Sequence, residues 1–388
     1  MMDFLSTIGG ATGSLFLTLV SFLVVLTVVV FIHEFGHFWV GRLCGVGVTA
    51  FSIGFGRELI GWTDKKGTRW KISAIPLGGY VKFVGDLNAA SVPDQDQLDR
   101  MPLEQRAISF PHQSVAKRAA IVAAGPIANF ILAIAIFAGF NYFNGRQVLE
   151  PRIEAVQPGS AAEKAGFQPK DLILTVDGRQ IQTFADMQLI VSSSAGEPLE
   201  FTIDRNGQTV ALTATPNFVE RTSPFGKQRI GLLGVEASRD PSAIKRLTYS
   251  PWGAVKAAVV ETWNLVERTL NFIRRLVMGW ESADQLSGPI GIARASGTAF
   301  DVGGVYSLVS LIGFMSVSIG LINLFPIPLL DGGHLLFYAI EAARGRPLSE
   351  KAQEIGFRIG FALVAMLMLF ATWNDLVHLG SSFLGQGS

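Results

Sequence analysis

Four stretches of the chain stay apolar over roughly the 20 residues that a helix needs to cross a bilayer. The first runs from Leu15 to about Val40 and carries no charge from Leu15 to Ile32; the second runs from about Ala119 to Phe143. The third covers about Val305 to Leu330, and the fourth starts near Ile359 and ends between Trp373 and His378. No basic segment precedes the first stretch, and it is too long for a signal-peptide core, so it is predicted to be a retained helix.

Elsewhere the period changes. In residues 51–83, extended segments flank a turn at Lys66-Gly67, with Gly54, Gly56, Gly78 and Gly79 as punctuation, and this predicts a β-hairpin. Residues 148–216 carry strand-like runs at Ile153–Val156 and Leu172–Val176, and turn signals at Pro158-Gly159 and Asp177-Gly178. Thr183 and Asp186 then stand at capping-box spacing before a helical run, and a hairpin is centred on Asn206-Gly207. From Trp252 to Trp280 bulky apolar residues recur in steps of three and four, with Lys256, Glu261, Arg268 and Arg275 elsewhere around the wheel. Charge interrupts this stretch too often for a span. It is predicted to be an amphipathic helix on the membrane surface, the alternative being a core helix of the soluble part.

The expected fold class is therefore a polytopic α-helical membrane protein of about four transmembrane helices, with a re-entrant or membrane-associated β-hairpin and an inserted α+β domain. Its parts are an N-terminal membrane part (1–147), the inserted domain (148–216), a linker with the amphipathic helix at about 252–280 (217–304) and a C-terminal membrane part (305–388). Composition agrees: 49% of the 388 residues are hydrophobic and 16% charged, and the mean hydropathy is +0.38. A net charge of +1 and the lack of a basic stripe interleaved with aromatics argue against nucleic-acid binding. The single cysteine, Cys44, excludes an intrachain disulfide framework.

Eleven lysines and arginines from Arg42 to Arg118 lie between the first two apolar stretches, whereas residues 1–14 and 379–388 have none. The positive-inside rule then puts that connection in the cytoplasm. Arg344, Arg346 and Lys351 follow the third stretch on the same side, and both termini and residues 144–304 fall outside.

Against this frame one run is anomalous. "VVVFIHEFGHFWVGR" (28–42) places titratable groups in apolar helix, where each is costly to bury. His33 and His37 are four residues apart, project from nearly one side of a helix and can share one metal ion, with Glu34 placed as a base. Such an arrangement lets zinc bind two neutral imidazoles and acidify a water whose proton the carboxylate takes. The alternative is two histidines at a helix interface by accident. A catalytic zinc needs a third protein ligand. Asp331, in "NLFPIPLLDGGH", is the carboxylate near the end of another span, and the topology brings it to the same depth as His33 and His37. His334, one turn further on, is a rival third ligand or an outer partner. Cys44 is about 10 Å too far along the helix. His112 and His378 have no companion ligand.

"HEFGH", "GPIAN" (125–129) and "NLFPIPLLDGGH" (323–334) resemble, in order, the three signature regions of the site-2 proteases, intramembrane zinc metalloproteases. Residues 148–216, with "PGSAAEKAGF", resemble a PDZ domain, which makes the whole similar to the bacterial RseP-type group, although a single PDZ-like unit is traced where some members carry two. The resemblance implies His33, His37 and Asp331 as zinc ligands and Glu34 as general base. It also implies Asn323 as a donor to the substrate backbone or the developing oxyanion, against the alternative of a helix-packing residue. Asn129 reads as packing glue between helices. The resemblance further implies a multi-pass protein of the bacterial inner membrane that cleaves single-span membrane proteins, such as a trimmed anti-sigma factor or signal-peptide remnants. Its PDZ-like domain would meet peptide C-termini or the outer domains of substrates. Read from its own residues, the hairpin offers an edge that would hold unwound substrate as an added strand, the alternative being a cytoplasmic hairpin with no substrate role. Two rival readings are a membrane-anchored PDZ scaffold with a non-catalytic metal site and a metal transporter; the latter would need polar groups along the spans instead of at one end.

Overall fold

A computed structural model describes residues 2–86, 101–223, 226–238, 244–279, 283 and 286–385. In chain order the elements are α1 (Met2–Leu43), β1 (Val48–Thr63), β2 (Arg69–Phe83), α2 (Leu103–Ile108), α3 (Val115–Phe143), β3 (Arg146–Leu149), β4 (Ile153–Val156) and α4 (Ala161–Lys164). There follow β5 (Leu172–Val176), β6 (Arg179–Gln180), α5 (Phe184–Ser193), β7 (Leu199–Arg205), β8 (Gln208–Ala214), β9 (Asn217–Ser223) and β10 (Gly226–Leu232). The chain ends with β11 (Val235–Ala237), β12 (Ile244–Leu247), α6 (Pro251–Val277), α7 (Pro289–Asn323), α8 (Asp331–Arg344) and α9 (Glu350–Gly385). It divides into two compact units, one of Met1–Phe137, Val255–Leu270 and Ala283–Ser388, the other of Ala138–Ala254 and Asn271–Ser282.

In the first unit, four helices are long and apolar enough to cross a membrane: Leu15–Leu43, Val115–Phe143, Pro289–Asn323 and Lys351–Val377. The third differs from the predicted 305–330 at both ends. Pro326 and Pro328 cannot continue a helix, so it stops at Asn323, and it starts sixteen residues early, at Pro289, with a break at Gly303 and Gly304. The fourth also starts earlier than predicted, because Glu354 and Arg358 pair at 2.6 Å along the helix surface and do not end it. Val25 and Val29 of α1 pack with Leu308 and Ile312 of α7 and with Leu132 and Ile136 of α3. Small residues let these helices approach closely: a Cβ at Gly36 would collide with the Ala124 carbonyl, and one at Gly313 would come 2.8 Å from Phe137.

β1 and β2 form the predicted hairpin, and they also double back on themselves. Residues 50–53 pair with 69–72 on one side and with 79–82 on the other, while the far end of β1 pairs again with 69–72. Gly54 and Gly56, both at positive φ, make the bends, and a Cβ at Gly54 would come 2.7 Å from the Ile75 carbonyl oxygen. The hairpin base packs Phe51, Val81 and Phe83 against Phe38 of α1 and Ile121 of α3. Its turn is tied to α1 through Asp64, which accepts from Arg42 at 2.5 Å and from the Trp70 indole at 3.1 Å. Burial alone would raise the Asp64 carboxyl pKa, but hydrogen bonds from Trp70, Thr68, Arg42 and Lys66 outweigh it and hold the group well below the usual carboxylate range.

The second unit contains a four-stranded sheet in the order β6-β5-β7-β8. The predicted strands Ile153–Val156 and Leu172–Val176 coincide with β4 and β5. The capping box of α5 is closed by both Thr183–Asp186 bonds, at 2.9 and 3.0 Å, and Asn206 and Gly207 take the positive φ of the β7–β8 turn. Ile153, Phe167, Ile173, Met187, Phe201, Ile203 and Leu233 share one core. Thus Leu233 and β11, which fall in the segment read as linker, belong to the packed sheet unit, with β11 antiparallel to β4.

α6 is started by Ser250, whose hydroxyl accepts from Gly253 N, and by Pro251. Its buried positions are Ala254, Ala258 and Thr262, whereas Trp252, Val259, Trp263, Leu270 and Val277 are exposed. A core helix would bury the bulky side. Trp280, the last member of the predicted stripe, lies outside the described residues.

Candidate metal centre

Two helices bring the predicted ligands together. α1 carries His33 and His37 one turn apart, both buried, and Asp331 enters as the first residue of α8. The two Nε2 atoms are 3.2 Å apart, and Asp331 Oδ2 lies 3.1 Å from that of His33 and 3.5 Å from that of His37. Among the described residues these three form the group whose ligand atoms could hold a metal ion.

The donor set fits zinc. Tetrahedral coordination at zinc–nitrogen and zinc–oxygen distances of about 2.0–2.1 Å puts ligand atoms about 3.3–3.4 Å apart, close to the three separations observed. Asp331 Oδ2 is buried and makes no hydrogen bond of proper geometry despite the two nitrogens beside it, as expected of an oxygen shaped for a cation. Two imidazoles and one carboxylate leave a fourth position open, the pattern of catalytic zinc.

Local sequence explains the placement of Asp331. After Asn323 the prolines force an extended turn, Leu329 takes a φ of 117°, and the Leu324–Leu330 loop folds back over the first turn of α8. Gly332 and Gly333 make this possible, since a Cβ on either would collide with loop carbonyls. Arg118 of α3 then pairs with Glu341 at 2.6 Å and stacks on Tyr338, which fixes α8 against α3.

The "GPIAN" motif lies beneath the histidines. A Cβ at Gly125 would collide with His37 Nε2, so only glycine allows the approach. His37 Nδ1 donates to the Ile121 carbonyl at 2.9 Å. That bond fixes the tautomer whose Nε2 lone pair faces Asp331 and His33. Glu34 turns toward the hairpin, where the Val81 amide donates to its carboxylate and glycine at position 79 leaves room for its side chain. The cavity between them, of about 120 Å³, is lined by the three clustered residues with Glu34, Gly79–Val81 and His334. It holds a few waters but is well below the roughly 300 Å³ of small-ligand pockets.

The other candidates fall elsewhere. His334 lines the cavity, its ring 5.5 Å from that of Phe357 and tilted to it by 50°, but does not join the ligand cluster. Asn323 is half-buried at the last turn of α7, outside the cavity lining. His112 is bonded to Ser109. Ile121 carries no sequence signal, because it acts through its carbonyl, and Gly125, marked only as part of "GPIAN", acts by lacking a side chain.

A buried two-histidine, one-carboxylate centre with an adjacent glutamate, set among helices fit to span a bilayer, defines a metal-dependent hydrolase of the membrane. Residues 21–367 match the family described as Peptidase family M50. A protein of Agrobacterium fabrum named as a zinc metalloprotease is 49% identical over 97% of this chain and 100% of its own length. Metalloprotease MmpA of Caulobacter vibrioides is 46% identical over 92% of this chain and 95% of its own. Regulator of sigma-E protease RseP of Escherichia coli is 34% identical over 93% and 98%. The chain belongs to peptidase family M50, the site-2 proteases, and is a zinc-dependent metalloendopeptidase of the membrane.

Proposed function

We propose that this protein cuts single-span membrane proteins within or near their transmembrane helix, with His33, His37 and Asp331 holding the zinc. The observation that carries the reading is the convergence of the two Nε2 atoms and the Asp331 carboxylate within 3.5 Å, from helices nearly 300 residues apart in sequence. Zinc held there would supply a Lewis acid that acidifies a water and polarises the scissile carbonyl. Glu34 takes the proton of the attacking water and delivers it to the leaving amide nitrogen. Asn323 donates to the substrate backbone as the chain reaches the site along the Leu324–Leu330 loop.

Glu34 and Gly79–Val81 line the same cavity, so an unwound substrate segment passes along this part of the hairpin, with the cavity widening as it enters. Phe55, Leu59, Ile60, Trp62 and Ile75 on the hairpin are exposed, which suits a hairpin in contact with lipid. The basic residues between the first two spans put the hairpin on the cytoplasmic side of an inner membrane and the inserted domain outside. There the PDZ-like domain filters substrates, excluding those that still carry a bulky outer domain, or else takes up a newly exposed C-terminus. The exposed Trp252, Trp263 and Leu270 of α6 suit contact with the membrane surface.

The test is metal content. Purified protein should carry one zinc per chain, and Asp331→Ala, like His33→Ala and His37→Ala, should lose most of it. Full zinc in the Asp331 variant would remove that ligand and promote His334.

A further inference from the structure

Both histidines of the centre are held from behind by α3. For His37 the holder is the Ile121 carbonyl, which can only accept. For His33 it is a side chain: Nδ1 faces the amide nitrogen of Asn129 at 3.3 Å. Asn129 is fully buried, and its own carbonyl accepts from the Ser316 hydroxyl at 2.8 Å. α7 passes so close that a Cβ at Gly320 would stand 3.2 Å from that of Asn129. The Ser316 bond is to the backbone carbonyl and holds the Asn129 backbone in place; the carboxamide lies beside the imidazole, and its Oδ1 is buried without a partner.

We propose that Asn129 is the positioning residue of His33, its carboxamide selecting the tautomer that leaves Nε2 free to bind the metal. For Nε2 to offer a lone pair to a cation, the proton of a neutral imidazole must sit on Nδ1, and a group that accepts must face it. An amide NH₂ in that place would set two donors against each other. A half-turn of the carboxamide about its last torsion puts Oδ1 there instead and gives the unpartnered oxygen its bond; the nitrogen and oxygen positions are otherwise equivalent in shape. In the other tautomer the proton sits on Nε2, on the side of Asp331 Oδ2 3.1 Å away, and Nδ1 accepts from the amide nitrogen at 3.3 Å. A carboxamide serves both states. An aliphatic side chain serves neither, and a carboxylate serves only the metal-binding one.

This inference rests on the zinc reading above, and the experiment separates the two. Zinc affinity of the purified full-length protein is measured by competition with a chromophoric chelator, for wild type, Asn129→Leu, Asn129→Asp and Ser316→Ala. Asn129→Leu should weaken zinc about 10–100-fold, as loss of an outer partner of a metal-bound histidine does, and Asn129→Asp should stay within about threefold of wild type. Ser316→Ala, which loosens the helix contact but leaves the carboxamide, should bind as wild type. Wild-type affinity in Asn129→Leu would overturn the assignment, as would an equal loss in Asn129→Asp and Asn129→Leu. If Asn129→Leu does not accumulate, Asn129→Asp decides alone: retained affinity supports the role, and a loss beyond about tenfold overturns it. Wild-type protein that binds no zinc overturns the zinc reading itself, a result distinct from all of these.

Discussion

Gly125 is where the site tolerates least change. Its position beneath His37 leaves no room for a methyl group, so Gly125→Ala should displace the imidazole and weaken zinc binding by about tenfold or more. Gly139→Ala, in the same helix with open space at the Cβ position, should leave zinc unchanged, since alanine is the better helix former by about 1 kcal/mol. Zinc per chain after dialysis against a chelator measures both, and equal retention would show that α1 and α3 are not packed as described. At this scale the clustering of His33, His37 and Asp331 was legible because a shared metal demands particular side chains at particular spacings, and the structure brings these three together. Their supports were not. The Ile121 carbonyl is common to every residue type, and Asn129 has the composition of an ordinary helix contact until His33 is seen 3.3 Å away.

The hairpin shows how an element is held by its anchors. Asp64 joins the turn to Arg42 of α1, and its folded-state pKa is depressed, so the stabilisation it brings is fully present above the unfolded carboxyl value of about 3.9. It is lost as pH falls below that value and through the folded one. Asp64→Asn should therefore speed amide exchange across residues 64–69 by about tenfold at pH 7, the equivalent of one charge-assisted hydrogen bond. The difference between wild type and variant should shrink as pH falls below about 4. Hydrogen exchange over a pH series checks this, and identical protection at pH 7 would show that the turn is held by the strands alone. The turn at Lys66-Gly67 was legible from local chemistry. The double use of residues 50–53 was not, because it depends on bends at Gly54 and Gly56 that bring together partners up to 32 residues apart. The end of α7 was misplaced for a related reason: hydropathy runs on through Leu330, but Pro326 and Pro328 end the helix.

For the whole molecule, the apolar pattern revealed how many helices could span a bilayer, while the orientation read from lysine and arginine stays part of the proposal. The limits of the inserted domain were harder to see, since β11 joins it by pairing with β4, about 80 residues earlier, and no local signal announces such a partner. The proposed function rests on one division of labour: His33, His37 and Asp331 would hold the metal, and Glu34 would move the proton. Glu34→Gln keeps the size of the side chain and removes the base. The decisive measurement is cleavage of a single-span substrate in membranes by Glu34→Gln protein, with zinc determined in the same preparation. The account predicts full zinc and a rate lower by at least about 100-fold, and unchanged cleavage with zinc in place would contradict it.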